Sequence, residues 1–420
     1  MSFSSGGGRA PREAAHHASR DSLEGFIRLE AARKGVQLPR KGAAVLARLD
    51  YRLEMELKER ALRLFWKHHG LPGRPEALVA SPRPRNYRTT SKRRCRSTLT
   101  AGAGPGKIAT GPIFIEGDEA ALLEPAEHAL IFEAIGEWLL QPEFAPLARS
   151  LQFVIIRGTY AEFMVIFNVG LLDREINRLL LRLAERLRSL PPNVISAFLY
   201  LDPSHSPYYL ETDRPRGSFP IKRLFGPGRF LLPLGGLTFA VPPVSFSQVN
   251  ESILPPLLGK VREMMGGEHR RRLLDLYCGY GLFALSLRSL YREIIAVDAA
   301  APSIRAAAAM LPSAPGRARI AFKVLSISRN SLAAALPPPL PPGEEDVILD
   351  PPRRGADAAV IGSIARRRPG RVLHLICASE EIPAALAAWQ RCGYFARRII
   401  PVDMFAGTPQ LETLALFSRR

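Results

Sequence analysis

The 420-residue chain predicts an α/β protein with a C-terminal doubly wound domain, a central α+β domain and a helical, basic N-terminal segment. Three observations carry this: strand and helix alternate regularly beyond Pro243, the stretch before it is rich in alternating apolar runs, and the first eighty residues combine helical spacing with dense Lys and Arg. A chain this long exceeds one hydrophobic core, and composition places the divisions at 1–80, 81–244 and 245–420.

Residues 1–20 are Gly, Ser and Arg-rich and read as a disordered tail, with His16 and His17 as solvated side chains. Asp21 or Ser22 can cap a helix carrying Leu23, Phe26, Ile27 and Ala31 at helical spacing, and a second helical run spans Ala43 to Phe65 before Gly70 ends it. Ser81-Pro-Arg-Pro-Arg85 then biases the backbone to extended geometry. Strands are expected at Gln152–Ile156, Glu162–Phe167, Val194–Leu201, Arg229–Leu232 and Leu237–Val241, with a helix at Leu172–Leu187. Together they predict an antiparallel sheet with one face open to a partner.

Beyond Pro243, strands are expected near 272–276, 293–297, 319–325, 345–349, 371–376, 394–400 and 411–417. The helices between most of them imply a parallel sheet whose ligands sit at the carboxyl ends of the strands.

The net charge is +19, and residues 1–100 supply +13 of it through 22 Lys/Arg against 9 Asp/Glu. Between Glu76 and Glu116 no acid occurs, while Arg83, Arg85, Arg88, Lys92, Arg93, Arg94, Arg96 and Lys107 fall in that window around Tyr87. Such a cluster suits phosphate contact, and nucleic acid is the first partner it suggests. Four scattered cysteines, none in a CxxC pair, exclude a disulfide framework and give no expectation of a metal or iron–sulfur site. No signal-peptide core or apolar run of about 20 residues is present, so a cytoplasmic, monomeric protein without membrane contact is expected.

Chemistry concentrates at the expected strand ends. In Asp275-Leu-Tyr-Cys-Gly-Tyr-Gly281, Gly279 and Gly281 permit a sharp turn with close backbone approach to a ligand, and the helix after it can offer amide dipoles to an anion. Ala284 breaks the dinucleotide GxGxxG spacing. Asp298, twenty-three residues after Asp275, can accept both hydroxyls of a ribose or cap the next helix. Asp350 is followed by Pro351-Pro352-Arg353; Arg353 and Arg354 can meet phosphate or a substrate base. Cys377 closes the apolar run Arg371–Cys377 level with Asp298 and Asp350, which points to a nucleophile, against the alternative of a small buried hydrophobe. Cys278 and Cys392 read as buried apolar residues.

Taken in order, Ser81-Pro, Tyr87-Arg88, Ser245-Phe-Ser-Gln-Val-Asn250, Asp275–Gly281, Asp350-Pro-Pro-Arg353, Cys377 and Met404-Phe with Thr408 and Glu412 resemble the S-adenosylmethionine-dependent RNA 5-methyluridine methyltransferase family. The resemblance covers roughly residues 81–420. It implies a Rossmann-like class I methyltransferase domain, S-adenosylmethionine as cofactor and ribosomal or transfer RNA as partner. It also implies that Gln248, Tyr277, Gly279, Gly281, Asp298 and Asp350 meet the cofactor, that Cys377 is the nucleophile and that Glu412 is the base. Arg88, Arg353 and Phe246 are candidate substrate contacts, with ordinary core packing as the first reading for Phe246.

The chain departs from the family at Leu282, where Asn is usual, at Ala378-Ser379, where Asn or Asp then Pro is usual, and at Gly407 or Gln410, where histidines are usual. Residues 1–80 are helical where other members carry a small β-barrel, and the N-terminal cysteine cluster of some members is absent. A catalytically silent RNA-binding paralogue and a cytidine-C5 enzyme are the competing readings.

Overall fold

Side-chain caps decide where the first two helices begin. Ser22 accepts the Gly25 N–H at 3.1 Å and opens α1 (Leu23–Arg33). Asp50 accepts the N–H groups of Arg52 and Leu53 and opens α2 (Tyr51–His68), so the second helix starts later than the apolar spacing from Ala43 suggests. The carbonyls of Leu46, Ala47 and Leu49 turn instead to the Arg85 guanidinium. This is a computed structural model, described here for residues 21–95, 99–101, 108–110, 114–115, 121–203, 221–267, 270–311 and 318–420. The expected N-terminal tail, Arg96 and Lys107 lie outside those residues.

The central region holds β1 (Thr90–Cys95), β2 (Leu99–Ala101), β3 (Ile108–Thr110), β4 (Phe114–Ile115), α3 (Ala126–Leu139), α4 (Ala145–Ser150), β5 (Leu151–Gly158), β6 (Phe163–Val169), α5 (Arg174–Leu187), β7 (Val194–Leu201) and β8 (Lys222–Phe225). Its main sheet runs β4-β1-β5-β6-β7-β8. It is mixed, not antiparallel as expected, because α5 crosses between β6 and β7 and leaves them parallel. Neither face is held open to a partner. Val154, Ile156, Val165 and Phe167 pack under Ile131, Ile135, Leu180 and Leu183 of the helices, while Ile155, Met164, Ile166 and Phe198 join a core shared with Phe239, Leu257 and Val261. Two of the expected strands form a separate hairpin, β9 (Phe230–Leu234) with β10 (Leu237–Val241).

The C-terminal region follows α6 (Leu254–Met265). It contains β11 (Arg270–Leu276), α7 (Leu282–Ser286), β12 (Tyr291–Asp298), α8 (Ala301–Ala309), β13 (Arg319–Val324), α9 (Arg329–Ala335), β14 (Glu345–Leu349), α10 (Ala358–Arg366), β15 (Arg371–Ile376), α11 (Ile382–Arg391), β16 (Tyr394–Val402) and β17 (Glu412–Arg419). The strand order is β13-β12-β11-β14-β15-β17-β16. Five strands are parallel, but β17 pairs antiparallel with both β15 and β16, which corrects the expectation of a wholly parallel sheet. The reason is local: residues 403–411 hold turns and no crossover helix, so β16 must return as a hairpin. Successive crossovers diverge between β11 and β14, and that switch point is where such sheets take ligands. Among the described residues no helix is long and apolar enough to cross a membrane.

Candidate functional site

The ends of β11, β12, β14 and β15 converge. Asp350 N–H donates to the Leu276 carbonyl and Cys278 N–H to that of Val297, tying the turns after three neighbouring strands together. A cleft beside them is lined by Phe246, Gln248, Tyr277, Gly279 and Asp350. The sequence-predicted cofactor residues Gln248, Tyr277, Gly279 and Asp350 therefore share one opening.

The glycine turn works differently at its two glycines. At Gly279, with φ +53°, a Cβ would meet nothing within 4 Å, so the backbone faces open space. Gly281, at φ +85°, lies under Ala307 of α8 and Phe322 of β13, and a Cβ there would come within 3.1 Å of both. Tyr277 also has positive φ, +64°, a conformation that costs a non-glycine residue about 1 kcal/mol or more. Nothing in its sequence context signals that strain.

Three carboxylates surround the turn. Asp298 accepts the N–H of Gly279 at 2.9 Å and of Ala300 at 2.7 Å. Buried Asp275 accepts the Ala284 N–H at 2.8 Å, while its other oxygen has no hydrogen-bond partner among the described residues. The expectation that the helix after the turn offers amides to an anionic ligand is thereby corrected: α7 spans only five residues, and Asp275 takes its Ala284 amide. Burial pushes the Asp275 carboxyl up to about 8, with Asp350 and Asp298 adding to the rise. Asp350 rises to about 7 through burial and Asp298. Carboxyls crowded enough to resist ionisation oppose a further anion such as the diphosphate of a dinucleotide and would ionise more readily beside a cationic, hydroxyl-bearing ligand. S-adenosylmethionine, a sulfonium with a ribose diol, fits it.

These raised values carry a stability consequence. Below about pH 4 the Asp350 carboxyl is protonated in both folded and unfolded chains; between about 4 and 7 only the folded chain holds the proton, so stability falls as pH rises. Asp350→Asn should therefore melt at a higher temperature than the parent protein at pH 8 and at nearly the same temperature at pH 4. Thermal denaturation at the two pH values checks this, and a lower melting point at pH 8 refutes it.

Cys377 and Glu412 meet through sheet register. Ile376 of β15 lies opposite Thr413 of β17, the last pair of the ladder; continuing that register by one position would set Cys377 across from Glu412, whose charge acts on the thiol. Directly opposed residues have Cβ atoms about 4.5–5.5 Å apart and project to the same face. Cys377 is partly exposed, whereas Glu412 is 2% exposed and its Oε1 has no hydrogen-bond partner among the described residues. Burial pushes the thiol up to about 12; Glu412 and Asp350 raise it further and Arg353 opposes them. Burial likewise holds the Glu412 carboxyl well above the usual carboxylate range, with Asp350 adding and Arg353 opposing. Arg353 is thus the cation that serves both groups, and its side chain is exposed. A second cavity of about 170 Å³, lined by Arg353, Ile376, Cys377, Glu381 and Arg391, reaches the thiol from the side of α10 and α11.

The remaining predicted residues fall in three places. Phe246 is 58% exposed at the cleft rim, so the core-packing reading is corrected. Arg88 pairs with Asn250 in an isolated bridge, and its side chain donates to the Thr90 carbonyl. Tyr87 presents no ring to a partner; it is 1% exposed and its hydroxyl donates to the Ala406 carbonyl. Cys278 is buried under the glycine turn as expected, and Cys392 caps the end of α11, partly exposed.

Buried residues outside the predicted set support the site. Asn250 Nδ2 donates to Ser81 Oγ at 3.0 Å and to the Met404 carbonyl at 3.2 Å, so three segments of the quoted motif series meet at one amide. Arg157 of β5 is 1% exposed and donates to the Pro243 carbonyl and to Ser247 Oγ, fastening the loop that carries Phe246 and Gln248. An apolar strand such as Gln152–Ile156 gives no sign that the arginine after it is a strut.

Residues 236–329 match a family model described as tRNA (Uracil-5-)-methyltransferase. An uncharacterized RNA methyltransferase of Geobacter sulfurreducens is 30% identical over 190 residues, covering 44% of this chain and 37% of that protein. The 23S rRNA (uracil(1939)-C(5))-methyltransferase RlmD of Cupriavidus pinatubonensis is 26% identical over 395 residues, covering 90% of this chain and 79% of that protein. The chain thus spans under half the length of the first relative and about four-fifths of the second. In fold, it superposes with a TM-score of 0.63 and 20% identity on the tRNA (uracil-54, C5)-methyltransferase of Pyrococcus abyssi, solved in complex with S-adenosyl-L-homocysteine, over 90% of this chain and 86% of that one. With its motifs in the order described, a family model matching residues 236–329 and relatives aligned along nine-tenths of its length, the chain is similar to the RNA uracil-C5 methyltransferases.

Proposed function

We propose that this protein methylates carbon 5 of a uridine in structured RNA, ribosomal rather than transfer RNA, through a covalent cysteine adduct. The observation that carries the proposal is the β15–β17 register, which sets Cys377 and Glu412 side by side next to Asp350 and Arg353. The RlmD relatives, aligned along most of their length, favour ribosomal RNA. In this reading residues 245–420 carry the chemistry, 81–244 meet RNA, and 1–80 form an accessory segment in a cytoplasmic enzyme.

Gln248, Tyr277, Gly279, Asp298 and Asp350 would hold S-adenosylmethionine. When bound, that cofactor supplies the electrophilic methyl group that carbon 5 takes. Carbon 5 of uracil is too weak a nucleophile unaided. Cys377 gives up its S–H proton to solvent, Sγ bonds to carbon 6, and the electrons of the C5=C6 bond shift toward carbon 5 and O4. After methylation Glu412 removes the carbon-5 proton, the double bond re-forms and the Sγ–C6 bond breaks, returning the thiolate. Arg353 stabilises negative charge on both protein groups. The target base must leave its stack, and Phe246 at the rim is placed to stack against it.

The test is incubation with S-adenosylmethionine labelled in its methyl group and modification-free rRNA, followed by mapping of the labelled base. Label at uridine carbon 5 is expected. Label on cytidine rejects the assignment, and RNA binding without label favours the silent paralogue.

A further inference from the structure

The turn between β16 and β17, residues 403–411, leads directly into Glu412, and most of what holds it comes from far upstream in the chain. Asp403 N–H donates to the Val79 carbonyl and Leu46 N–H to the Gly407 carbonyl. Asn250 and Tyr87 donate to the carbonyls of Met404 and Ala406. Gly407 N–H donates to Glu54 Oε1 at 2.6 Å.

Glu54 and Lys58 lie one helical turn apart on α2, both 0% exposed. Lys58 Nζ donates at 2.7 Å to Glu54 Oε1 and at 2.7 Å to Asp403 Oδ1. Tyr51 donates its hydroxyl to Asp403 Oδ2, and Arg85 donates to Glu54 Oε2. One cluster of charged groups therefore grips both ends of residues 403–407. Gly407 fits the same frame: at φ +83°, a Cβ would lie 2.6 Å from Leu123 and 3.3 Å from Ala47. A larger residue at this turn would collide with Leu123 of the central region and press on Ala47 of the N-terminal segment.

From this geometry we infer that Glu54 and Lys58 of α2 are positioning residues for Glu412, clamping the 403–407 turn so that β17 presents the carboxylate beside Cys377. The inference rests on the proposed reaction for its kinetic arm. Gripped turns keep proton removal in register; the cofactor cleft lies on other strands and meets this turn through the Asn250–Met404 hydrogen bond, which Glu54 and Lys58 do not make.

Glu54→Gln keeps an acceptor for the Gly407 amide but loses the charge shared with Lys58 and the bond to Arg85. In single-turnover reactions with modification-free rRNA, the variant should bind S-adenosylmethionine within about twofold of the parent by calorimetry. It should form the Cys377–RNA adduct at least as fast as the parent but release it at least about tenfold more slowly, so that adduct accumulates. Tyr51→Phe, which removes one hydroxyl, should move in the same direction by a smaller factor. A second arm needs no RNA: iodoacetamide labelling of Cys377 against pH, read by peptide mass spectrometry, should show a lower midpoint in Glu54→Gln as Glu412 withdraws from the thiol. Equal losses in cofactor binding, adduct formation and release would overturn the inference, as would an unchanged partition. If the parent protein transfers no label, the proposed reaction fails and the labelling midpoint decides the inference alone.

Discussion

Cys377→Ala should reduce methyl transfer by roughly 10⁴-fold or more, since without the thiol nothing raises the nucleophilicity of carbon 5. The loss should be in turnover, with RNA and cofactor binding retained, because in the proposed reaction Cys377 acts on the base and it does not line the cleft assigned to the cofactor. Glu412→Gln should behave differently. It keeps the shape of a buried side chain whose Oε1 has no partner among the described residues, but it cannot take the proton, so the methylated adduct should persist and migrate as a protein–RNA band on denaturing gels. In that variant, adduct formation should rise about tenfold per pH unit between 7 and 9, because burial, the main cause of the raised thiol, remains when the Glu412 charge is removed and keeps Cys377 mostly protonated there. A pH-independent rate would mean that RNA binding has already ionised the thiol. A Cys377→Ala protein that still forms the adduct would rule out the assigned nucleophile.

Lys58→Met should be the most destabilising of the proposed substitutions. Lys58 lies between the Glu54 and Asp403 carboxylates with all three side chains 0% exposed. Removing the cation leaves two buried like charges, with Arg85 bound to only one of them, at a cost of about 3–5 kcal/mol. Urea denaturation should show the deficit. It should widen as pH rises from about 4 to 7, because burial already raises the Asp403 carboxyl and the substitution removes the opposing Lys58 charge, so the folded state keeps a proton that the unfolded chain releases. A loss under about 1 kcal/mol would mean that the helix–turn contact relaxes around the gap.

Much of the site was legible before any coordinates. Cys377, Asp298 and Asp350 lie at strand ends as their positions after apolar runs imply, and the glycine turn follows β11. What the residue pattern concealed is non-local. The antiparallel insertion of β17 has the same alternating signature as a parallel strand, so the register that joins Cys377 to Glu412 could not be read from spacing. Arg157 and Lys58 look like surface charges in their own segments; only contacts across 86 and 345 residues reveal them as buried struts. Tyr87 misled because an aromatic ring in a basic run resembles a stacking platform, and its partner carbonyl lies 319 residues away. The strain at Tyr277 has no compositional mark at all.

The place of β17 inside its sheet also governs when this protein can become active during synthesis. Residues 412–419 lie between two strands made earlier, so β15 and β16 cannot close on each other as they emerge and must wait for the intervening strand. Until then the thiol lacks Glu412 beside it and apolar strand edges stay uncovered. A nascent chain caught at that stage should be a substrate for chaperones before it is a catalyst for RNA.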